Sequence, residues 1–325
     1  MAVQTLNLAD VRSSVDDVDV FLCSSSFEDR CRSIPDQIEP GAAKHVLVME
    51  NKNLSRYVRG NADYLRARFG ERSRIVAADT TKPLITAHSI TTALNQVRTS
   101  SPQTYLLDIT AITHESLLIL LQTLRLSAMP GDRIRLCYCN AAEYAVGLPM
   151  KQKWLSKGAD EVRSVLGYPG EVLLSRKNHL VMLVGYEHER ASKMIEMFEP
   201  DMISLGYGKS SSQTSRKHLA ASRHFGKLVK DTAVLYANVA SFRFSCSDPW
   251  DVRDRILRIS RRSRNYNTIL APLNTKLSTV GCALAAFQDD RIQLCYAPAR
   301  LYNYAGYSAP GDMVYTFDLP ELVPA

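Results

Sequence analysis

"DDRIQLCYAPARLYN", residues 289–303, nearly rewrites "GDRIRLCYCNAAEYA", residues 131–145, at an interval of 158 positions. A second pair keeps almost the same interval: "RCRSIPDQIEP" (30–40) matches "RASKMIEMFEP" (190–200) without a gap, 160 positions on. Arg30 aligns with Arg190, Ile34 with Met194, Ile38 with Phe198, and Glu39-Pro40 with Glu199-Pro200. Two matches lying more than a hundred residues apart and holding nearly one offset indicate a duplicated unit.

Each copy reads as strands alternating with helices. In the first, "VDVFLCS" (18–24), "KHVLVME" (44–50), "RIVAAD" (74–79), "TYLLDIT" (104–110) and "RIRLCYC" (133–139) are apolar runs of strand length. A helix is expected after the first of these, from near Glu28, and the apolar "ESLLILLQTLRL" (115–126) predicts a buried one. The second copy answers with "HLVMLVG" (179–185), "DMISLGY" (201–207), "AVLYANV" (233–239), "NTILAPL" (267–273) and "RIQLCYA" (291–297). Strands that lack period-two alternation and are interleaved with helices predict mostly parallel sheets covered on both faces. The expected fold is α/β, two tandem Rossmann-like repeats packed as an internal pseudo-dimer. Residues 1–147 form the first repeat and 178–325 the second with a C-terminal extension. The linker is 148–177, within a stretch (147–177) holding two Pro and four Gly.

With 325 residues, two domains suit the length, and 46% hydrophobic with 22% charged residues describe a globular chain. No run approaches the ~18 apolar residues of a membrane span, and the first twenty residues lack a basic start followed by an apolar stretch. A cytoplasmic protein without membrane contact is therefore expected. The seven cysteines form no Cys-x-x-Cys pair, so reduced core thiols are expected, with no metal and no cofactor. The net charge of +7 is uneven: residues 1–150 hold 16 Lys and Arg against 16 Asp and Glu, and residues 151–325 hold 24 against 17. An anionic partner is expected on the second half.

Parallel α/β sheets bind ligands beyond the carboxyl ends of their strands. After strand one, "SSSFEDR" (24–30) faces "GYEHER" (185–190). Ser24, Ser25 and Ser26 would offer donors to an anion, with Glu28 or Asp29 acting on a sugar or water. The same residues also suit helix capping, and the repeated Arg30 and Arg190 an ion pair bracing the contact between copies; Glu187 and Arg190 are further candidates for ligand binding. After strand two, "LGYGKSSSQTSRKH" (205–218) carries Gly206, Gly208, Lys209 and Ser210, a phosphate cradle by composition although not a P-loop. No acid stands between Asp201 and Asp231, where Arg216, Arg223, Lys227 and Lys230 share a helical face. After strand four, Asp108 and Thr110 in "DITAITHES" (108–116) oppose Asn274, Thr275 and Lys276 in "PLNTKLST" (272–279). Copy one is acidic where copy two is basic, as expected if copy two holds phosphates and copy one a ribose or base. A further basic run, "RDRILRISRRSR" (253–264), contains six Arg.

The opening run "VDVFLCSSSFEDR" (18–30) resembles the start of TIR-type and nucleoside deoxyribosyltransferase-like domains. In those families the catalytic glutamate comes from a later helix, so the resemblance assigns Glu28 no role. The tandem layout is similar to the CARF and SAVED sensor domains of prokaryotic anti-phage systems, which bind cyclic oligonucleotides at the pseudo-twofold between copies. The function expected is a nucleotide-binding sensor in bacterial defence or signalling, with a phosphorylated ligand between the repeats. Two alternatives stand beside it. One is an enzyme cleaving a nucleotide or N-glycosidic bond with Glu28, Asp29 or Asp108. The other is a scaffold subunit whose residues 209–230 and 253–264 bind nucleic acid. A protein partner or homo-oligomer fits any of the three.

Overall fold

The computed structural model describes residues 2–15, 17–149, 152–209 and 216–324. Its backbone contacts divide the chain into two units, residues 1–143 with 308–325, and residues 144–307. Along the chain come β1 (Gln4–Asn7), β2 (Val18–Ser24), β3 (Ala43–Asn51), α1 (Ser55–Phe69), β4 (Ser73–Ala78), α2 (Pro83–Val97), β5 (Thr104–Asp108), α3 (His114–Ser127) and β6 (Arg133–Tyr144). The second unit continues with β7 (Ser156–Ala159), β8 (Arg163–Ser164), β9 (Lys177–Leu183), α4 (His188–Phe198), β10 (Met202–Gly208), α5 (Arg216–Ala233) and β11 (Asn238–Phe244). It ends with α6 (Pro249–Arg262), β12 (Tyr266–Pro272), α7 (Lys276–Gln288), β13 (Ile292–Tyr296) and β14 (Ala299–Tyr302); β15 (Ser308–Asp318) returns to the first unit.

The first sheet runs β1-β15-β6-β5-β2-β3-β4 and the second β11-β10-β9-β12-β13-β8. Stripped of edge additions, both have the order third-second-first-fourth-fifth, with every pairing parallel among those five strands. This is the Rossmann-like order, reversing direction between the first and fourth strands. The protein is thus α/β with two Rossmann-like repeats. In each, the fourth strand enters a helix capped alike: Thr113 accepts from the Ser116 amide, and Thr275 from the Ser278 amide.

Right-handed crossovers put α4 and α5 on one face of the second sheet and α6 and α7 on the other. The packing of α4 on α5 and of α6 on α7 follows. The core of the second unit gathers Leu180, Met182, Ile203, Leu205 and Ile269 from the strands with Met194, Ile195 and Val229 from the helices, and that of the first Phe21, Val46, Val48, Leu65 and Leu106. Cys137 and Cys139 lie in the first core, and all seven cysteines are free thiols. Among the described residues no helix is long and apolar enough to cross a membrane.

Two expectations change. No α-helix follows β2: two short 3-10 turns, Asp29–Arg32 and Pro35–Gln37, stand where the second repeat has α4. Pro35, aligned with Ile195 of α4, has no amide hydrogen and its ring clashes with the preceding turn. The run "AVLYANV" is the end of α5 and a turn exposing Val234, Leu235 and Tyr236, and the edge strand β11 begins at Asn238. Residues 148–177 carry β7, paired with β14, and β8, paired with β13. β15 pairs with β1 and lies beside β6 in the first sheet.

Close packing also sets a glycine. A Cβ on Gly281 of α7 would meet the Pro249 carbonyl and lie 2.6 Å from the Val252 Cβ of α6. Gly281→Ala gains helix propensity but overpacks this contact, so it destabilises by about 1–3 kcal/mol in urea titrations. Unchanged or raised stability would show that the two helices can part without cost.

Candidate functional site

At the carboxyl edge of the first sheet, β2 delivers Ser24, Ser25 and Ser26, all buried. The Ser25 amide donates to the Met49 carbonyl at 2.9 Å, and the Ser24 and Ser25 hydroxyls donate to the same oxygen at 3.3 and 3.2 Å. The Ser26 hydroxyl accepts from the Glu28 amide at 3.3 Å, and its carbonyl accepts from Asn61 at 2.6 Å. The serines the sequence proposed for a ligand are brought together, with their hydroxyls turned into their own loop.

Glu28 is buried and paired with Arg30 at 3.1 Å, and it also accepts from the Ser308 hydroxyl at the start of β15. Arg30 donates to the Tyr138 hydroxyl and the Cys139 carbonyl, both at 3.3 Å, with its guanidinium 5.7 Å from the centre of the Tyr138 ring. Asp29 is exposed at the head of the 3-10 turn. Asp108 ends β5 at 2% exposure, and its carboxylate accepts from the Thr110 amide at 2.9 Å. Burial pushes the Asp108 carboxyl up to about 7, against the Thr110 hydrogen bonds and the Arg30 charge, which favour ionisation. Thr110 in turn accepts from the Cys139 amide at 2.9 Å.

The second unit repeats the buried arrangement. Arg190 pairs with Glu187, donates to the Ala297 carbonyl at 2.6 Å and lies 4.8 Å from the centre of the Tyr296 ring. Glu187 accepts from the Ser156 hydroxyl at 2.6 Å. Burial opposes the Arg190 charge and the Glu187 carboxylate more than restores it, so the guanidinium stays cationic. Tyr138 and Tyr296 stand 158 residues apart, as do Cys139 and Ala297, the interval of the sequence repeat. Sequence reading offered Arg190 and Glu187 as ligand groups; the structure buries both against their own repeat.

Around the second sheet's carboxyl edge, Gly206 and Gly208 belong to β10 rather than to a loop. A Cβ on Gly206 would lie 2.5 Å from the Phe242 ring, and one on Gly208 would run into the Cys246 sulfur, so strand packing explains both. Lys209 is exposed, its amide bonded to the Phe244 carbonyl at 2.7 Å and its ammonium 3.4 Å from Asp251. Ser210 lies outside the described residues. Asn274 donates to the Val184 carbonyl at 2.6 Å, and the Thr275 hydroxyl donates to the Cys246 carbonyl at 2.9 Å, lashing three loops together. Lys276 opens α7, half-buried.

An aromatic cluster that the sequence reading missed flanks this edge. Phe225 of α5 lies 5.2 Å from Tyr186, 5.8 Å from the stacked His188 and 5.4 Å from His224, and Tyr144 is 5.5 Å from Tyr186. Burial holds the His188 imidazole below its ordinary range, outweighing the nearby Glu189. Only the "GYEHE" run hinted at it, since the partners come from a different helix. The charge asymmetry sharpens on these boundaries: residues 144–307 hold 24 Lys and Arg against 14 Asp and Glu, net +10, and the other unit 16 against 19, net −3.

No family model matches the chain, and no curated protein matches it. Among solved structures it is similar to a type III CRISPR defence DNA nuclease activated by cyclic oligoadenylate, at 9% identity over 82% of this chain and 64% of that one, TM-score 0.49. It is also similar to the pyocyanin biosynthetic protein PhzM, at 19% identity over 44% and 38% of the two chains, TM-score 0.25. A third is phosphoethanolamine N-methyltransferase 1 of Haemonchus contortus, at 8% identity over 82% and 71%, TM-score 0.26. The chain spans less than two thirds of the length of the first two proteins. These likenesses are distant, and the chemistry of the site rests on its own residues.

Arg190→Met leaves Glu187 buried and unpaired, and costs about 3–5 kcal/mol in urea unfolding, part of it recovered by adding Glu187→Gln. A cost below about 1 kcal/mol would show that the pair is dispensable. Asp108 carries a separate pH signature. The unfolded chain releases this proton near 3.8 and the folded chain near 7, so the stability held by the protonated form is full below 3.8 and falls as pH rises to about 7. Asp108→Asn removes that loss, gaining on wild type across this window by a few kcal/mol, at about 1.4 kcal/mol per unit. A wild-type-like pH profile in the variant would refute a neutral Asp108.

Proposed function

We propose that this chain is a nucleotide-binding regulatory protein, with bacterial defence or signalling as its setting, and that its second repeat grips the ligand's phosphates. The observation that carries the reading is the meeting of cations and aromatic faces at one carboxyl edge. Lys209 and Lys276 flank the loops there, and Tyr186, half-buried against Phe225, offers ring surface for a base, on a unit of net +10. Binding without turnover is favoured by the first repeat: Glu28 is spent on Arg30 and Ser308, and Asp108 is sealed at 2% exposure. A nucleophile or general base needs access to the reacting atom, which neither has.

A panel of nucleotides tested by thermal shift and calorimetry checks this. One class is expected to stabilise the chain as RT ln(1 + [L]/Kd) and to be recovered intact. Lys209→Ala and Lys276→Ala each weaken it about tenfold, as loss of a charge-assisted contact does. No shift across the panel would refute the reading, and a ligand returned cleaved would replace it with the enzymatic one.

A nucleic-acid role has its own support. In and just after α6, Arg253 and Arg255 pair with Asp254 and Asp251 at 2.8 and 3.2 Å, while Arg258, Arg261, Arg262 and Arg264 are exposed. Arg223, Lys227 and Lys230 are exposed on α5. Such a surface binds DNA or RNA without sequence preference, with affinity falling steeply as salt rises. Salt-independent binding, or none, removes this role.

A further inference from the structure

In both repeats the buried arginine, from the 3-10 turn or first helical turn after the first strand, reaches the fifth strand's side of the sheet, past the fourth. The crevice where such folds ordinarily take a ligand is therefore occupied by protein. Open chemistry moves to the turn between the second strand and the next helix.

In the first repeat that turn joins β3 to α1. Asn51, the last residue of β3, is 8% exposed, and its side-chain oxygen accepts from the Asn53 amide at 3.3 Å. That bond holds the carboxamide against the 3-10 turn Lys52–Leu54, which runs directly into α1. The nitrogen is buried and has no hydrogen-bond partner. An orphaned buried donor costs about 1–3 kcal/mol, which an acceptor arriving at the turn would remove.

The helix above is built to receive a negative charge. α3, α6 and α7 are capped by the side chains of Thr113, Asp248 and Thr275, whereas α1 has Leu54 at its N-cap, no side-chain cap and no acid in its first turn. Its 15 residues aim their dipole and first amides at this point. Lys52 and Arg56 flank the turn, both exposed, and Asn53 donates to the Thr81 hydroxyl at 3.3 Å, holding the loop that carries exposed Lys82 against it. Of the acids at this edge, Asp79 is spent on the Thr81 and Lys82 amides, and Glu50 faces the opposite side of β3 from Asn51.

We infer that the β3–α1 turn of the first repeat is a phosphoryl-binding site, formed by the Asn51 amide, the first amides of α1, and Lys52, Arg56 and Lys82. The group is a phosphate, either inorganic or the terminal phosphate of a nucleotide. This site is separate from the one proposed in the second repeat.

The test uses the whole chain at constant ionic strength, with inorganic phosphate and adenosine 5′-monophosphate as probes and chloride as the reference. Phosphate is expected to raise the melting temperature of wild type and of Lys209→Ala alike. Asn51→Asp, which sets a negative charge against the anion, should lower phosphate affinity at least about tenfold. Asn51→Leu, uncharged and near the same volume, carries the same comparison where Asn51→Asp folds poorly. A response to phosphate alone identifies an inorganic site, and a larger one to the monophosphate a nucleotide site. Wild type indifferent to both probes, or Asn51 variants responding as wild type, overturns the inference. Nucleotide binding lost in Lys209→Ala but intact in Asn51→Asp would sink it and spare the proposed function; a phosphate response lost only in the Asn51 variants would do the reverse if no nucleotide binds.

Discussion

A buried guanidinium, held once in each repeat, organises the carboxyl edge of both sheets. Arg30 leaves the 3-10 turn after the first strand and Arg190 the first turn of α4; each takes a glutamate from the preceding loop and ends on a tyrosine ring of the fifth strand and the carbonyl that follows it in sequence. The fourth strand lies between those two in each sheet, so each arginine ties the strands either side of the point where the order reverses. Each glutamate also accepts from a serine outside the five-stranded core, Ser308 in one case and Ser156 in the other. One charge pair thereby anchors the added strands β15 and β7 to the repeats they join.

Such a pair says little about net stability, because removing two charges from water costs about as much as their attraction returns. What it does supply is geometry. A guanidinium offers donors in a fixed fork, and a misplaced strand end would leave one of them unpaired in a dry interior. Arg190 already has one amino nitrogen without a hydrogen-bond partner, beside the Tyr296 ring. The first repeat adds a consequence of its own. Asp108 ends β5 where the second repeat has apolar Pro272 ending β12, and burial pushes that acid up to about 7.

Both ends of this contact were visible in the two repeated phrases, one holding Arg30 and Arg190, the other Tyr138 and Tyr296. The parallel strands were legible for the same physical reason that buries them: apolar runs without alternation have one place to go. β1, β7, β8, β14 and β15 were not, since they are short, or half-exposed strands whose pairing depends on distant partners. "AVLYANV" misled because it is apolar and β-rich yet caps a helix, its hydrophobic side chains left outside the core. At the site, the sequence shows residue types and not the direction their side chains take. Serines and glycines that looked like ligand donors close the loop and pack the strands, and the orphaned Asn51 amide has no sequence signature, because burial without a partner is a tertiary fact.

What the two edges leave exposed decides the chemistry they can offer. Glu28 and Glu187 are paired and Asp108 is withheld from solvent, which leaves Asp29 as the exposed acid of the first loop. Cations face outward: Lys52 before α1, Arg56 in its first turn, and Lys209 after β10. A surface that spends its acids internally and displays donors stabilises negative charge more readily than it abstracts protons. The second repeat follows the same logic with more charge and the half-buried rings of Tyr186 and His188. Both repeats therefore favour an anion approaching the strand-two side of the edge, because the switch-point crevice beside it is already filled by arginine.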